Sequence, residues 1–273
     1  IQLPILLCRN KKRAFMSQHF LLAIRQFILT FFFLLLFVPQ CFAANVTIVP
    51  NQSLTQLQLD AIADGVQRIT RYMASSFDLQ LQHDVTINVV RDDKAESVIG
   101  YDELQNKVGG NARVGEINLV VNPSSSWYYL AFLTAHEMTH QYQMDRYGST
   151  NSMNKNLWFV EGMADYIGAR AVHPVDMTRY SSFYSSAISK TMQADFTLEQ
   201  ITAHDDWDTM FLSGKHVYGK ADMALIYLNN HFAPELMWTY FDYLYTYDAD
   251  TALKKVYGLS LSDLDMLISH GMT

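Results

Sequence analysis

The sequence predicts an α+β fold in which a small mixed β-sheet packs on a central helix and a mainly helical C-terminal part follows. Segments rich in β-branched residues predict short strands at Val46–Val49, Val85–Val90 and Glu116–Val121. Apolar residues recur with helical spacing from Trp127 to Tyr147, directly after the third strand. With 49% hydrophobic residues, the chain can bury the core that such a fold requires.

The other elements are predicted from periodicity and turn residues. Apolar spacing predicts an amphipathic helix over Leu54–Phe77, and residues 109–115 form a turn before the third strand. Ser124 to Ser126 supply an N-cap for the helix that begins near Trp127. The polar segment Gly148–Asn156 predicts a loop.

After Ala171 the pattern is mostly helical. Helices are predicted over Met177–Met192 and Tyr218–His231, with a shorter segment at Thr197–Ala203. The acidic stretch Asp205–Asp208 is interpreted as a solvated loop, because it lacks the regular ligand spacing of a calcium site.

A candidate metal site lies in the central helix, in the pentad His136-Glu-Met-Thr-His140. Residues four apart on an α-helix face the same side, about 6 Å apart along the axis, which suits two imidazoles on one zinc ion. Glu137 projects partly toward the same face, where it can accept a proton from a metal-activated water. The alternative interpretation is a solvated helix face with two unrelated histidines.

A third ligand is predicted at Glu161, separated from His140 by twenty residues, within a second helical pattern. Asp165 lies one turn later on the same face and can accept the other ring N–H of a ligand histidine. An exposed acidic stripe is the alternative, but the apolar residues that flank both acids favour a buried pair. The sequence therefore predicts a site for one Zn²⁺ per chain, held by His136, His140 and Glu161.

These residues resemble those of the gluzincin metallopeptidases, and among them the peptidase MA-like domains, which often read W-x-x-E-G-x-A-x-Y. Here the pentad is followed by Glu161-Gly-Met-Ala-Asp165, between Trp158 and Tyr166. The match covers mainly residues 127–170, and Ala252–Leu264 resembles the closing helix-turn-helix of those domains. A metzincin would carry a third histidine soon after His140, and residues 141–150 contain none.

The resemblance implies a zincin-like fold and two further features. The strand before the zinc helix, Glu116–Val121, is expected to form the sheet edge along which an extended peptide lies, although it could equally be a plain core strand. His216 and Tyr218 are the candidates for stabilising the oxyanion, because several gluzincins carry a tyrosine at the position that Tyr218 resembles. The alternative for Tyr218 is a structural role, in which the ring packs in the core and the hydroxyl is hydrogen-bonded within the protein. Five other histidines lack acidic partners at ligand spacing and are expected to be structural or exposed: His83, His173, His204, His231 and His270.

The predicted function is zinc-dependent hydrolysis of peptide bonds by a single zincin-like domain over residues 44–273, with Glu137 as the base. A non-catalytic binding domain is one alternative, and it predicts loss of Glu137 or of a ligand, all of which are present. An aminopeptidase is another, and the sequence lacks the Gly-x-Met-Glu-Asn-like element that would bind a substrate amine. An endopeptidase acting on peptide or protein substrates is favoured.

Residues 1–43 are interpreted as a secretory signal peptide, with residues 1–15 as translated upstream sequence and Met16 as the start. Arg25 precedes an apolar run from Phe27 to Val38, and small residues follow, so cleavage is expected after Ala43. The run is shorter than the roughly 20 residues that span a bilayer, so no stable membrane span is expected, although an uncleaved anchor is the alternative. The predicted location is periplasmic or extracellular.

Composition after this segment agrees with export. Both cysteines precede position 44, so a mature chain contains no thiol or disulfide. Five of the 20 basic residues and none of the 27 acidic residues precede position 44, which leaves a net charge of −12. Nucleic acid is therefore excluded as a partner.

Overall fold

A four-stranded mixed sheet forms the N-terminal part of the structure. The computed structural model describes residues 44–50, 54–91, 109–147, 156–173 and 177–270. The predicted signal peptide over 1–43 and nearly all of the predicted loop Gly148–Asn156 lie outside these ranges. The strands are β1 (Val46–Pro50), β2 (Val85–Arg91), β3 (Gly110–Arg113) and β4 (Glu116–Val121).

The order of strands in the sheet is β1-β2-β4-β3. Strands β1, β2 and β4 run parallel, with Val46 opposite Val85 and Thr86 opposite Glu116. Strand β3 is antiparallel to β4 and forms the edge of the sheet in the described part of the chain. The prediction that Glu116–Val121 is the edge was therefore wrong, because the short hairpin through Gly115, at a φ of 74°, folds β3 onto its outer side.

Helix α1 (Gln56–Phe77) connects β1 to β2, and α2 (Trp127–Tyr147) follows β4. A capping box begins α1: the Thr55 hydroxyl accepts from the Gln58 backbone N–H at 3.2 Å, and the Gln58 side chain accepts from the Thr55 N–H at 3.1 Å. The predicted cap of α2 is confirmed at Ser126, whose hydroxyl accepts from Tyr129 N–H. Helix α2 packs on α1 and against β3 and β4.

The rest of the described chain is helical. It contains α3 (Leu157–Val172), α4 (Met177–Met192), a 3₁₀ turn (Glu199–Ile201), α5 (His204–Leu212), α6 (Val217–His231), α7 (Leu236–Tyr243), α8 (Ala249–Tyr257) and α9 (Leu261–His270). Helix α3 packs between α2 and α6, and α4 packs on α6. The predicted α+β class, with a small mixed sheet and mainly helical remainder, is confirmed.

Two other expectations were wrong or incomplete. Asp205–Asp208 is not a loop but lies in α5, where acidic residues of the first turn face the positive end of the helix dipole and Trp207 is buried. Strand β3 was read as part of a turn, because its four residues, GNAR, lack apolar alternation. In the ranges the structure describes, no helix has the length and apolar character needed to cross a membrane.

Candidate metal centre

Three of the candidate residues come from α2, which runs through the interior of the protein. His136 and His140 are each 7% exposed and Glu137 is 3% exposed, because the sheet, α1 and α3 all pack around this helix. The two imidazoles project from one face of α2, and their ring centroids are 4.8 Å apart. The helical spacing predicted from the pentad thus places both rings at one point.

Helix α3 brings the carboxylates to the same point. Glu161 Oε2 lies 3.4 Å from His136 Nε2, and Glu161 Oε1 lies 3.7 Å from His140 Nε2. Ligand atoms of the three side chains all lie within 4.8 Å of one another, a group that could hold a metal ion. The three residues predicted as metal ligands are therefore brought together.

The orientation of each ring is fixed by a hydrogen bond at its other nitrogen. His136 Nδ1 lies 2.7 Å from Asp165 Oδ1, as the sequence predicted for Asp165. His140 Nδ1 lies 2.7 Å from Gln143 Oε1. Because the Gln143 amide nitrogen donates to Val160 O at 3.1 Å, its oxygen must be the atom that faces His140. Both Nδ1 atoms therefore donate, and both Nε2 atoms are left to the metal position.

The donor set fits a divalent metal. The two Nε2 atoms are 3.1 Å apart, close to the roughly 3.4 Å expected for two nitrogens about 2.1 Å from a tetrahedral zinc. Two imidazoles and one carboxylate are also the ligands that catalytic zinc sites commonly use, with one position left open. The residues present are thus sufficient to hold the ion.

The electrostatics of the site favour a cation. Burial lowers the pKa of both histidines, but Asp165 beside His136 and Glu161 beside His140 outweigh it, so both pKa values are raised. Burial raises the pKa of Glu161, yet the two histidines outweigh it and the net shift is downward. Glu161 is therefore ionised, which is the form that binds a metal. The negative charges of Asp165 and Glu161 that favour a proton on the two imidazoles also favour a metal cation at the same position.

Glu137 lies against the edge strand β3. A Cβ built on Gly110 would be 2.8 Å from Glu137 Oε1 and 3.0 Å from Asn118 O, so only glycine leaves room for the carboxylate. Burial raises the pKa of Glu137, and His136 and His140 oppose the rise. A carboxylate whose pKa is raised above its ordinary value is better suited to accept and return a proton.

A cavity of about 680 Å³ opens beside the metal position. Strand β3 and the first turns of α2 line one side, and α5 lines another through His204, Trp207, Asp208 and Phe211. His204 Nδ1 lies 3.1 Å from Asp208, so this histidine has an acidic partner that the sequence analysis did not anticipate. The cavity has the concave form and mixed lining typical of ligand sites.

The structure separates the two oxyanion candidates. Tyr218 lines the cavity, and burial together with the nearby carboxylates of Glu161, Asp165 and Glu137 raises the pKa of its hydroxyl well above the ordinary value. Trp207 and Phe211 hold its ring edge-on, with centroids at 5.1 and 5.7 Å. His216 is exposed at the N-cap of α6 and is not among the described residues that line the cavity, so the structure does not bring it to the site.

Sequence reasoning missed several residues of the site. Gln143 could have been found, because it lies three residues after His140 on the same helix face. Gly110 and Trp207 could not, because their positions beside Glu137 and Tyr218 depend on tertiary packing.

Comparisons with known proteins add no assignment. No protein-family model matches the chain, and no curated protein matches it significantly. The resemblance to gluzincins thus remains a hypothesis carried by the motif residues and their geometry.

The contact between Asp165 and His136 gives a first testable prediction. Asp165→Ala is expected to weaken zinc affinity by about 10- to 100-fold, because the ring loses the acceptor that fixes its tautomer and orientation. Affinity is measured by competition with a chelator, with circular dichroism to confirm folding. The matched control is Asp206→Ala, an exposed aspartate of α5. Equal affinity in wild type and folded Asp165→Ala would contradict this role.

Proposed function

We propose that the protein is a zinc-dependent peptidase with a zincin-like fold and a gluzincin ligand set. The observation that carries the proposal is the convergence of His136, His140 and Glu161 on one point beside Glu137, at the wall of an open cavity. The alternative of a non-catalytic binding domain is disfavoured because the base is retained next to the ligands.

The proposed ligands are His136 Nε2, His140 Nε2 and the Glu161 carboxylate. When bound, zinc supplies Lewis-acid activation of a water molecule and of the scissile carbonyl. Glu137 accepts the proton that the water loses on attack and delivers it to the leaving amine. Tyr218 donates its hydroxyl proton as a hydrogen bond to the oxyanion that develops on the carbonyl oxygen.

Strand β3 is the proposed binding edge for the peptide. Its Gly110, Asn111 and Ala112 line the cavity. One side of the strand pairs with β4, and no other strand in the described part of the chain pairs with its other side, where we place an extended substrate. This assigns to β3 the role that the sequence analysis gave to Glu116–Val121. The closeness of Gly110 to Glu137 would place a bound peptide next to the base.

Export is part of the same proposal, based on the apolar run Phe27–Val38 and the small residues that follow it. The proposed partners are peptide or protein substrates in the periplasm or outside the cell.

The test combines metal analysis with an unbiased digest. Purified protein is expected to contain about one zinc per chain, since three protein ligands and an open position make a catalytic site. It should cleave a peptide library, and a chelator should stop the cleavage until zinc is restored. Zinc-loaded protein that cleaves no peptide would overturn the peptidase proposal, and protein that binds no zinc would overturn the metal assignment.

A further inference from the structure

The cavity contains one lysine or arginine among its described lining residues, Lys190. Three of the carboxylates around it have partners of their own. Glu161 faces the two histidines, Asp165 faces His136, and Asp208 faces His204. The negative charges of the cavity are thus largely engaged within the protein.

Three other described lysines have a carboxylate partner, whereas the exposed Lys255 lies over the Tyr247 ring. Lys215 pairs with Asp195 at 2.5 Å, Lys220 with Asp265 at 2.9 Å, and Lys254 with Asp250 at 2.5 Å. Within the described ranges, no carboxylate lies within ion-pair distance of the Lys190 ammonium group. Burial raises the pKa of the nearby Asp222 and Lys190 opposes the rise, but the two groups form no ion pair, so the half-buried ammonium is left able to bind an anion in the cavity.

The stem of Lys190 is held against α6. A Cβ built on Gly219 would overlap Lys190 Cβ and lie 2.8 Å from its Cδ, so the glycine lets α4 and α6 approach closely at Lys190. The neighbouring Thr191 hydroxyl donates to Gly219 O at 3.0 Å, which fixes the last turn of α4 at this crossing. Lys190 therefore lies beside Tyr218, which immediately precedes Gly219 on α6 and also lines the cavity.

We propose that Lys190 is a specificity-determining residue that binds a carboxylate of the substrate, so that the cleft selects peptides with an acidic group close to the scissile bond. This inference rests on the proposed peptidase function and names its substrate class. The carboxylate can belong to a Glu or Asp side chain or to the C-terminus of the peptide, since both present the same pair of oxygens to an ammonium group.

The test uses two matched peptide pairs. One pair differs by Glu against Gln near the cleaved bond, and the other by a free C-terminal carboxylate against an amide. The ratio of kcat/KM within each pair measures the preference for the charge, and the two pairs distinguish the two sources. Affinity for the same peptides is also measured by calorimetry on zinc-loaded Glu137→Gln protein, where turnover does not interfere.

Wild type is expected to prefer the charged member of at least one pair by about tenfold, the lower end of what a charged hydrogen bond contributes. Lys190→Met should bring that ratio close to one in both kcat/KM and affinity, and Lys190→Arg should retain most of it. The matched control Lys215→Met removes a lysine outside the cavity and should leave the ratio unchanged.

Two results would overturn the inference separately from the function. In the first, wild type cleaves charged and neutral members equally well. In the second, Lys190→Met lowers zinc affinity, or it lowers cleavage of the charged and the neutral peptide of a pair by the same factor. Either outcome would make Lys190 an internal counter-charge for the buried carboxylates of the site. Zinc-loaded wild type that neither binds nor cleaves any of the peptides would overturn the peptidase proposal and this inference together.

Discussion

Glu137→Gln is expected to retain zinc and to lose peptide hydrolysis by about 10²- to 10⁴-fold. The substitution removes the group that carries the proton from the attacking water to the leaving amine, and it leaves His136, His140 and Glu161 in place. An amide is nearly the same size as the carboxylate, so the close contact with Gly110 is preserved. Zinc content and kcat are measured on the same preparation.

The matched control is Glu235→Gln, which makes the same chemical change at an exposed glutamate far from α2 in sequence. It should retain full activity. A Glu137→Gln variant that hydrolyses peptides at the wild-type rate would show that Glu137 is not the base.

His140→Ala is expected to abolish stoichiometric zinc binding and, with it, hydrolysis. It removes one of three protein ligands and also leaves Gln143 Oε1 without the N–H that it accepts. The loss of affinity should exceed the roughly 10- to 100-fold expected for removal of an outer hydrogen-bond partner such as Asp165. Elemental analysis after dialysis, followed by chelator competition, measures both effects.

His231→Ala serves as the control, because His231 is exposed on α6 and, within the described residues, its ring is hydrogen-bonded only to the Tyr227 carbonyl. It should keep one zinc per chain. If folded His140→Ala still binds zinc with wild-type affinity, the assignment of the metal ligands is incorrect.

The parts of the fold that were predicted correctly are those whose pattern is local. The helix Trp127–Tyr147 and the strand Glu116–Val121 have the bounds that periodicity predicted. The pairing of β3 with β4 was missed because it depends on a tight turn at Gly115 and on side-chain amides, with Asn118 donating to Asn111 at 3.0 Å. Neither is visible as hydrophobic alternation.

The same distinction applies to the site. His136, Glu137 and His140 were found because their chemistry follows from spacing within one helix, and Asp165 was found relative to Glu161 for the same reason. Lys190 is distant in sequence from all of them, and its place in the cavity is decided by how α4 crosses α6 at Gly219. Contacts of that kind depend on helix packing that the sequence pattern alone did not reveal.

The burial of α2 has a consequence for how metal would be acquired. Almost every side chain from Leu130 to Met144 is buried by the surrounding sheet and helices, and both ligand rings are already held by Asp165 and Gln143. The contacts that orient the ligands thus come from the protein itself, whereas the chain of a zinc finger folds only when metal binds. Metal uptake should therefore produce little change in heat capacity or circular dichroism, and its rate should be governed by access through the cavity and not by refolding of the chain.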